Sequence, residues 1–198
     1  MTSIASLHLP SIGIAALGIS GLPTAWNIVA RNEYRRHTIE KTVKSKKVGA
    51  YLLAAAIFVG SGVRDYLFKR AVDLNKDVTL TSNTTAQHTL TYTGYGLWAF
   101  GSVLVVSSFL RLGITGTYLG DYFGILMDEM VTAFPFSHFE NPMYLGATLN
   151  FLGTSLVANS PVGVALTGWV ALVYHVSTKY FENPFTSMIY SEREKQKQ

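Results

Sequence analysis

Between Pro142 and Thr178 the chain runs for about 37 residues without an aspartate, glutamate, lysine or arginine. One membrane crossing takes roughly 20 residues of helix, so this stretch is too long for one crossing and about right for two. The break is legible at Asn159-Ser160-Pro161. Ser160 is placed as a helix N-cap, and Pro161 falls at the first helical position, where a missing N–H costs nothing. The stretch therefore predicts a tight helical hairpin, Pro142–Val157 and Pro161–Thr178. Its open ends, Glu140-Asn141-Pro142 and Glu182-Asn183-Pro184, must then lie on one side of a bilayer. Both Asn-Pro pairs have the form of a cap, the second opening a short C-terminal helix ahead of a charged tail, 191–198. A three-span alternative, with the first segment half inserted and Pro142–Thr178 crossing once, places the two pairs on opposite sides.

Three further apolar segments precede the hairpin. The first, Ser11–Ala30, is interrupted by Pro23 and predicts a kinked or half-inserted helix. The second, Val48–Val63, ends at Arg64-Asp65. The third, Thr93–Leu112, is closed by Arg111. Charged residues make up 14% of the chain, against roughly 25% in soluble domains, so these segments read as membrane helices rather than a soluble core. The fold class is then all-α integral membrane, in a single domain over 1–198. No cleavable signal peptide is expected, because the first apolar stretch runs on to Ala30 behind no basic leader.

The net charge of +4 does not point to nucleic acid. Seven of the sixteen lysines and arginines lie from Arg31 to Lys47, beside apolar runs, where they suit anionic lipid. With the hairpin in place, twelve cations fall on one side of the membrane and four on the other. The twelve-cation side is predicted to be cytosolic. The loop Arg64–Leu90, with the sequon Asn83-Thr84-Thr85, is then lumenal. The chain has no cysteine, so disulfides and thiolate metal sites are excluded. His138 and His175 have no metal-ligand spacing around them, and His175 is expected to be buried in its apolar helix.

Polar groups cluster at the mouths of these segments. Ionisable residues are expensive there and mark a site by default. In Gly120-Asp121-Tyr122-Phe123-Gly124, Asp121 is an anion between two glycines, able to hold an ammonium or Arg111. Tyr118, Tyr122 and Phe123 offer aromatic faces to a cation, although an interfacial aromatic belt has the same composition. Gly94-Tyr95-Gly96-Leu97-Trp98-Ala99 matches a G-x-G-x-x-A dinucleotide pattern, but it opens a membrane helix and follows no strand, so close helix packing explains it better. Gly101 alone also reads as a packing glycine.

Several of these motifs, in order, resemble the phospholipid N-methyltransferase family. They are Ala99-Phe100-Gly101, Gly120-Asp121-Tyr122-Phe123-Gly124-Ile125-Leu126, Asn141-Pro142-Met143-Tyr144-Leu145-Gly146 and Phe181-Glu182-Asn183-Pro184-Phe185-Thr186. The resemblance covers Trp26 to Tyr190 and departs from the family pattern at two positions: Ala99 stands where the family has glycine, and Asn183 where it has a second acid. It implies an integral membrane enzyme of the endoplasmic reticulum, with the mitochondrial membrane as the alternative, and it allows a homo-oligomer. It implies S-adenosylmethionine as methyl donor, held by Ala99, Phe100, Gly101, Glu182 and Asn183. The substrate is a phospholipid with an ethanolamine, N-methylethanolamine or N,N-dimethylethanolamine headgroup in the bilayer. Asp121, Tyr144 and Glu140 are the expected catalytic residues; Arg111, Tyr122 and Lys179 are expected to bind the lipid. Two other readings stand beside this one: a non-catalytic lipid-binding or assembly bundle on the same scaffold, and a carboxyl methyltransferase of prenylated substrates.

Overall fold

The computed structural model describes residues 7–128 and 131–196 of the 198. Its helices are α1 (Leu9–Arg36), α2 (Thr38–Val43), α3 (Lys46–Leu74), α4 (Thr84–Thr117), α5 (Pro142–Val157) and α6 (Pro161–Val176). A 3-10 turn covers Gly120–Phe123, and a π-helical turn, Ser177–Glu182, joins α6 to α7 (Asn183–Gln196). There is no strand among the described residues. Four helices are long and apolar enough to cross a membrane: Leu9–Arg36, Lys46–Leu74, Thr84–Phe123 and Pro161–Lys195. The shorter α5 lies against α4.

The hairpin forms as its sequence predicts: the first arm keeps its expected bounds, Pro142–Val157, and the second starts at Pro161 and gives way to the π turn after Val176, two residues before the expected Thr178. Asn159 takes the left-handed conformation (φ 50°) that asparagine tolerates better than most residues, and Ser160 Oγ accepts the Gly163 N–H at 3.0 Å. Asn159 also ties the hairpin tip to the α3–α4 loop, accepting the Leu80 N–H at 3.0 Å and donating to the Thr81 carbonyl at 2.7 Å. The open ends meet as expected: Asn183 Nδ2 donates to Glu140 Oε1 at 3.0 Å.

α1 runs from Leu9 to Arg36 with Pro23 inside it. Three details depart from the expectations. α3 does not stop at Arg64-Asp65 but continues to Leu74, with Arg64 buried inside it. The arginine is tolerated because Asp65 lies 2.9 Å away, Tyr174 accepts a hydrogen bond from it, and its guanidinium lies over the Phe151 ring at 5.1 Å. Asn183 is not a cap, since helix continues on both sides of it (φ −55°, ψ −46°). The π turn just before Pro184 shifts the bonding register where an α-helix would press the proline ring against the carbonyl four residues back. α7 thus extends α6 and carries the expected tail in helical form to Gln196, while Lys197 and Gln198 lie outside the described residues. His175 is exposed on α6 rather than buried.

α4 and α5 pack at backbone distance. Gly94 and Gly101 on α4 face Gly153 and Gly146 on α5 in antiparallel register. A Cβ at Gly101 would come within 2.5 Å of the Gly146 carbonyl oxygen, and one at Gly153 within 2.5 Å of that of Gly94. Small residues let two membrane helices approach this closely and gain dispersion energy along their length. α4 breaks at Gly113, whose φ of 63° and ψ of −171° only glycine adopts readily.

α1 and α3 are clamped at one end, where His8 N–H donates to Asn75 Oδ1 at 2.7 Å. At the other end, Glu33 is fully buried and accepts the N–H groups of Ile39 and Glu40 at 2.6 and 3.0 Å, holding the short α2 in place. That second end carries the basic residues of α1, α2, α7 and the start of α3. Single cysteines placed at Ser137 and Ser191, both exposed, are expected to label from the same side of oriented vesicles. Labelling from opposite sides would contradict the hairpin.

Candidate active site

At the basic end, a cavity of about 620 Å³ opens between α1, α3, α4, α5 and the α6–α7 helix. Its polar lining includes Asp121, Glu140, Asn141, Asn183, Thr186 and Tyr190, together with the buried Tyr174, Glu182 and Arg64 and with Tyr144.

Glu182 is the hub of this constellation. It projects from the π turn, a feature that recurs at functional sites, and is buried. Its Oε1 accepts from Ser177 Oγ at 2.8 Å, Trp26 Nε1 at 3.0 Å and Asn27 Nδ2 at 3.2 Å. Its Oε2 accepts from the Tyr144 hydroxyl at 2.5 Å. One carboxylate thus ties α1, α5 and the π turn together. The Tyr144 ring meets Tyr174 edge-on at 4.7 Å, and Tyr174 takes the Arg64 hydrogen bond.

Asp121 is set by the 3-10 turn after the Gly113 break. Its Oδ2 accepts from Thr186 Oγ1 on α7 at 2.9 Å. The adjacent Tyr122 and Phe123 side chains anchor the turn by burial, Tyr122 stacking on Phe185 at 4.9 Å. Among the described residues, Asp121, Glu140 and Glu182 form no ion pair. Three carboxylates therefore line one partly desolvated cavity against a single arginine. That imbalance suits a cationic guest, such as an ammonium or a sulfonium.

Five of the residues singled out from the sequence meet here: Asp121, Glu140, Tyr144, Glu182 and Asn183. Six others lie off the cavity. Ala99 and Phe100 are exposed on the outer side of α4, and Gly101 is closed against α5 by Gly146 and Asn150. Arg111 is exposed and donates to the Phe134 carbonyl at 3.3 Å. Lys179 is exposed over the Tyr180 ring, and Tyr122 is core. Conversely, Arg64, Tyr174, Trp26 and Asn27 belong to the site and were not singled out. The Arg64-Asp65 pair at the end of an apolar run was the available signal for the first of these.

The fold and the site together define a helical membrane protein with an acid-lined cavity at its basic end. The phospholipid methyltransferase family matches residues 89–193. The chain is 46% identical over 188 residues to the phosphatidyl-N-methylethanolamine N-methyltransferase of Neurospora crassa, covering 94% of this chain and 86% of the relative. It is 46% identical to the Saccharomyces cerevisiae protein of that name over 88% of this chain and 82% of the relative. It is 42% identical to the phosphatidylethanolamine N-methyltransferase of Rattus norvegicus over 93% and 90%. No solved structure matches. The chain belongs to the phospholipid methyltransferase family.

Proposed function

We propose that this protein methylates the nitrogen of N-methylethanolamine and N,N-dimethylethanolamine phospholipids, with ethanolamine phospholipids as a further candidate substrate, yielding phosphatidylcholine. The observation that carries this reading is the cavity with three carboxylates and no paired cation, in a chain similar over nearly its whole length to enzymes of that name. The family resemblance supports a multi-pass position in the endoplasmic reticulum membrane.

The methyl donor we assign is S-adenosylmethionine, and the residues present fit it. Its sulfonium and ammonium need anionic surroundings, and its polar groups need donors and acceptors at the mouth. Glu140 and Asn183, already bonded to each other, with Tyr190 beside them, are the groups we assign to hold it. When bound, it would supply a methyl group activated on a sulfonium: the lone pair of a neutral lipid amine would bond to the methyl carbon as the C–S bond breaks, with S-adenosylhomocysteine as the leaving group.

The chain's own part is alignment and proton removal. Alignment of two reactants contributes on the order of 7–11 kcal/mol. The lipid nitrogen enters as an ammonium and must lose a proton before it has a lone pair to donate. We assign Asp121 to accept that proton. Its carboxylate lines the cavity and is held by the Thr186 hydroxyl, which donates to Oδ2 at 2.9 Å. Tyr118, on the cavity wall, gives the headgroup an aromatic face. Glu182 and Tyr144 fix the wall between lipid and donor.

The test is purified protein in lipid nanodiscs, with methyl-labelled S-adenosylmethionine and a panel of ethanolamine, N-methylethanolamine and N,N-dimethylethanolamine lipids. Label is expected in the lipid fraction. Absence of label in every lipid sinks the reading. Asp121→Asn is expected to cut turnover by about a hundredfold, within the range for lost general base catalysis, with S-adenosylhomocysteine affinity little changed. Loss of that affinity instead would place Asp121 against the methyl donor.

A further inference from the structure

A second concavity, of about 500 Å³, lies between α3 and α4. Its walls are Ala54, Ala55 and Phe58 from α3 and Val106, Phe109 and Ile114 from α4. Val105, Tyr118 and Met143 belong to both this groove and the acid-lined cavity. The two spaces are therefore neighbours that share those side chains as a wall. We propose that this groove holds an acyl chain of the phospholipid substrate, and that the lipid reaches the cavity sideways from the bilayer, between α3 and α4. The proposal rests on the phospholipid N-methylation argued above.

Three observations commit the groove to this occupant. First, its lining is apolar apart from tyrosine hydroxyls, so it recognises hydrocarbon and not the methyl donor. Second, it runs along the helix axes. Tyr51, Ala54, Ala55 and Phe58 recur at the spacing of one helix face and span roughly 10 Å, and Val105, Val106 and Phe109 span roughly 6 Å of the facing helix before its break at Gly113. A groove parallel to the membrane normal matches an acyl chain in its leaflet. The small side chains of Ala54 and Ala55 leave the space; α4 meanwhile takes its close packing from α5 on another side. Third, the height is right. Tyr118, at the basic end of the groove, precedes Asp121 by one short turn. A lipid with its chain against Phe58 and Val106 therefore presents its headgroup at the level of Asp121. Phe58 and Val106 are 69% and 55% exposed within the protein, as an opening toward lipid requires.

The arrangement explains how a substrate that never leaves the membrane meets a polar methyl donor. The donor enters through the mouth flanked by Glu140 and Asn183, and the lipid enters through the side wall. Met143 and Tyr118, shared by the two spaces, form the threshold between them.

Ala55 is exposed on α3, so a larger residue there fills the groove without entering the core. With wild-type protein and Ala55→Trp, turnover is measured in mixed micelles on dioleoyl and dihexanoyl phosphatidyl-N-methylethanolamine. S-adenosylhomocysteine affinity and unfolding temperature serve as folding controls. Ala55→Trp is expected to raise the KM for the dioleoyl lipid by about tenfold to a hundredfold, through lost burial of several methylenes, and to leave the dihexanoyl KM nearly unchanged. Ala55→Leu, a smaller intrusion, is expected to shift the dioleoyl KM in the same direction by less. Equal effects on both lipids, or none on either, overturn the proposal. A readout free of turnover uses a phosphatidyl-N-methylethanolamine with a diazirine in mid-chain, photolysed in nanodiscs with each protein. Adducts are expected to concentrate in residues 51–58 and 105–114 and to fall in Ala55→Trp. Adducts spread evenly over the lipid-facing helices, or unchanged in the variant, overturn it. Concentrated adducts on a wild-type protein that methylates neither lipid would uphold the acyl site and reject the catalytic reading.

Discussion

Gly101→Leu is expected to lower the unfolding temperature of the solubilised protein by roughly 10 °C, and to lose methylation as a consequence of that damage. A Cβ at this position meets the Asn150 side-chain oxygen, the Gly146 carbonyl oxygen at 2.5 Å and the Asn150 backbone nitrogen at 3.1 Å; the Asn150 amide can turn away, but the two backbone atoms cannot. α4 and α5 must separate to admit it, and the Gly94–Gly153 contact, two turns away on the same interface, opens with it. Overpacking costs about 1–3 kcal/mol in ordinary cores, and prising apart two backbones falls at the upper end or beyond. Gly101→Ala is expected to show the same effect, smaller. The family resemblance assigns this glycine to the methyl donor, which predicts a different result: a normally stable protein that no longer binds S-adenosylhomocysteine. Unfolding temperature and calorimetric affinity, measured together on both variants, separate the two. Unchanged stability with lost affinity would remove the packing role.

What the sequence revealed, and what it hid, follows from whether a signal is local. The hairpin was legible because its determinants lie within three residues. Ser160 caps, Pro161 starts a helix, and Asn159 accepts a left-handed turn. The gathering of Asp121, Glu140, Tyr144 and Asn183 followed from that one topological decision. The direction a glycine faces was not legible. A helix offers Gly101 any direction around its axis, and only the partner helix, more than forty residues on, selects one. Arg64 was misread for a similar reason. Its neighbour Asp65 is visible in sequence, but Tyr174, which makes its burial tolerable, lies 110 positions away. Asn183-Pro184 has the local form of a cap, and the π turn before it, which lets the helix continue, has no comparable sequence mark. The apolar groove was hidden most completely. Ala54 and Ala55 are unremarkable in an apolar run, and the space beside them is bounded by α4, which turns its glycine face to α5.

Glu182→Gln is expected to damage both the fold of the mouth and the activity, and so to separate this carboxylate from Asp121. From sequence alone, Glu182 is a cofactor-facing acid whose neutralisation weakens donor binding by about tenfold to a hundredfold, the value of one charge-assisted hydrogen bond. In the structure, its two oxygens already accept from Trp26, Asn27, Ser177 and Tyr144. A carboxylate accepts at both oxygens; glutamine replaces one of them with an NH₂ that only donates. If the amide nitrogen takes the Oε1 position, it faces three donors. If it takes the Oε2 position, the Tyr144 hydroxyl must reverse its hydrogen bond and lose its hold on the carboxylate. Either way the charge that strengthened all four bonds is gone, at a cost on the order of 3 kcal/mol. The expected signature is a lower unfolding temperature, with donor affinity and turnover falling together. Asn27→Ala and Ser177→Ala, which remove donors from around an intact acid, should give weaker versions of the same pattern. A Glu182→Gln protein that melts like wild type and loses donor affinity alone would mean that the carboxylate's main partner is the ligand. Asp121→Asn, by contrast, keeps one oxygen able to accept from Thr186 or from the backbone of its own turn, and its effect should appear in turnover with the unfolding temperature held.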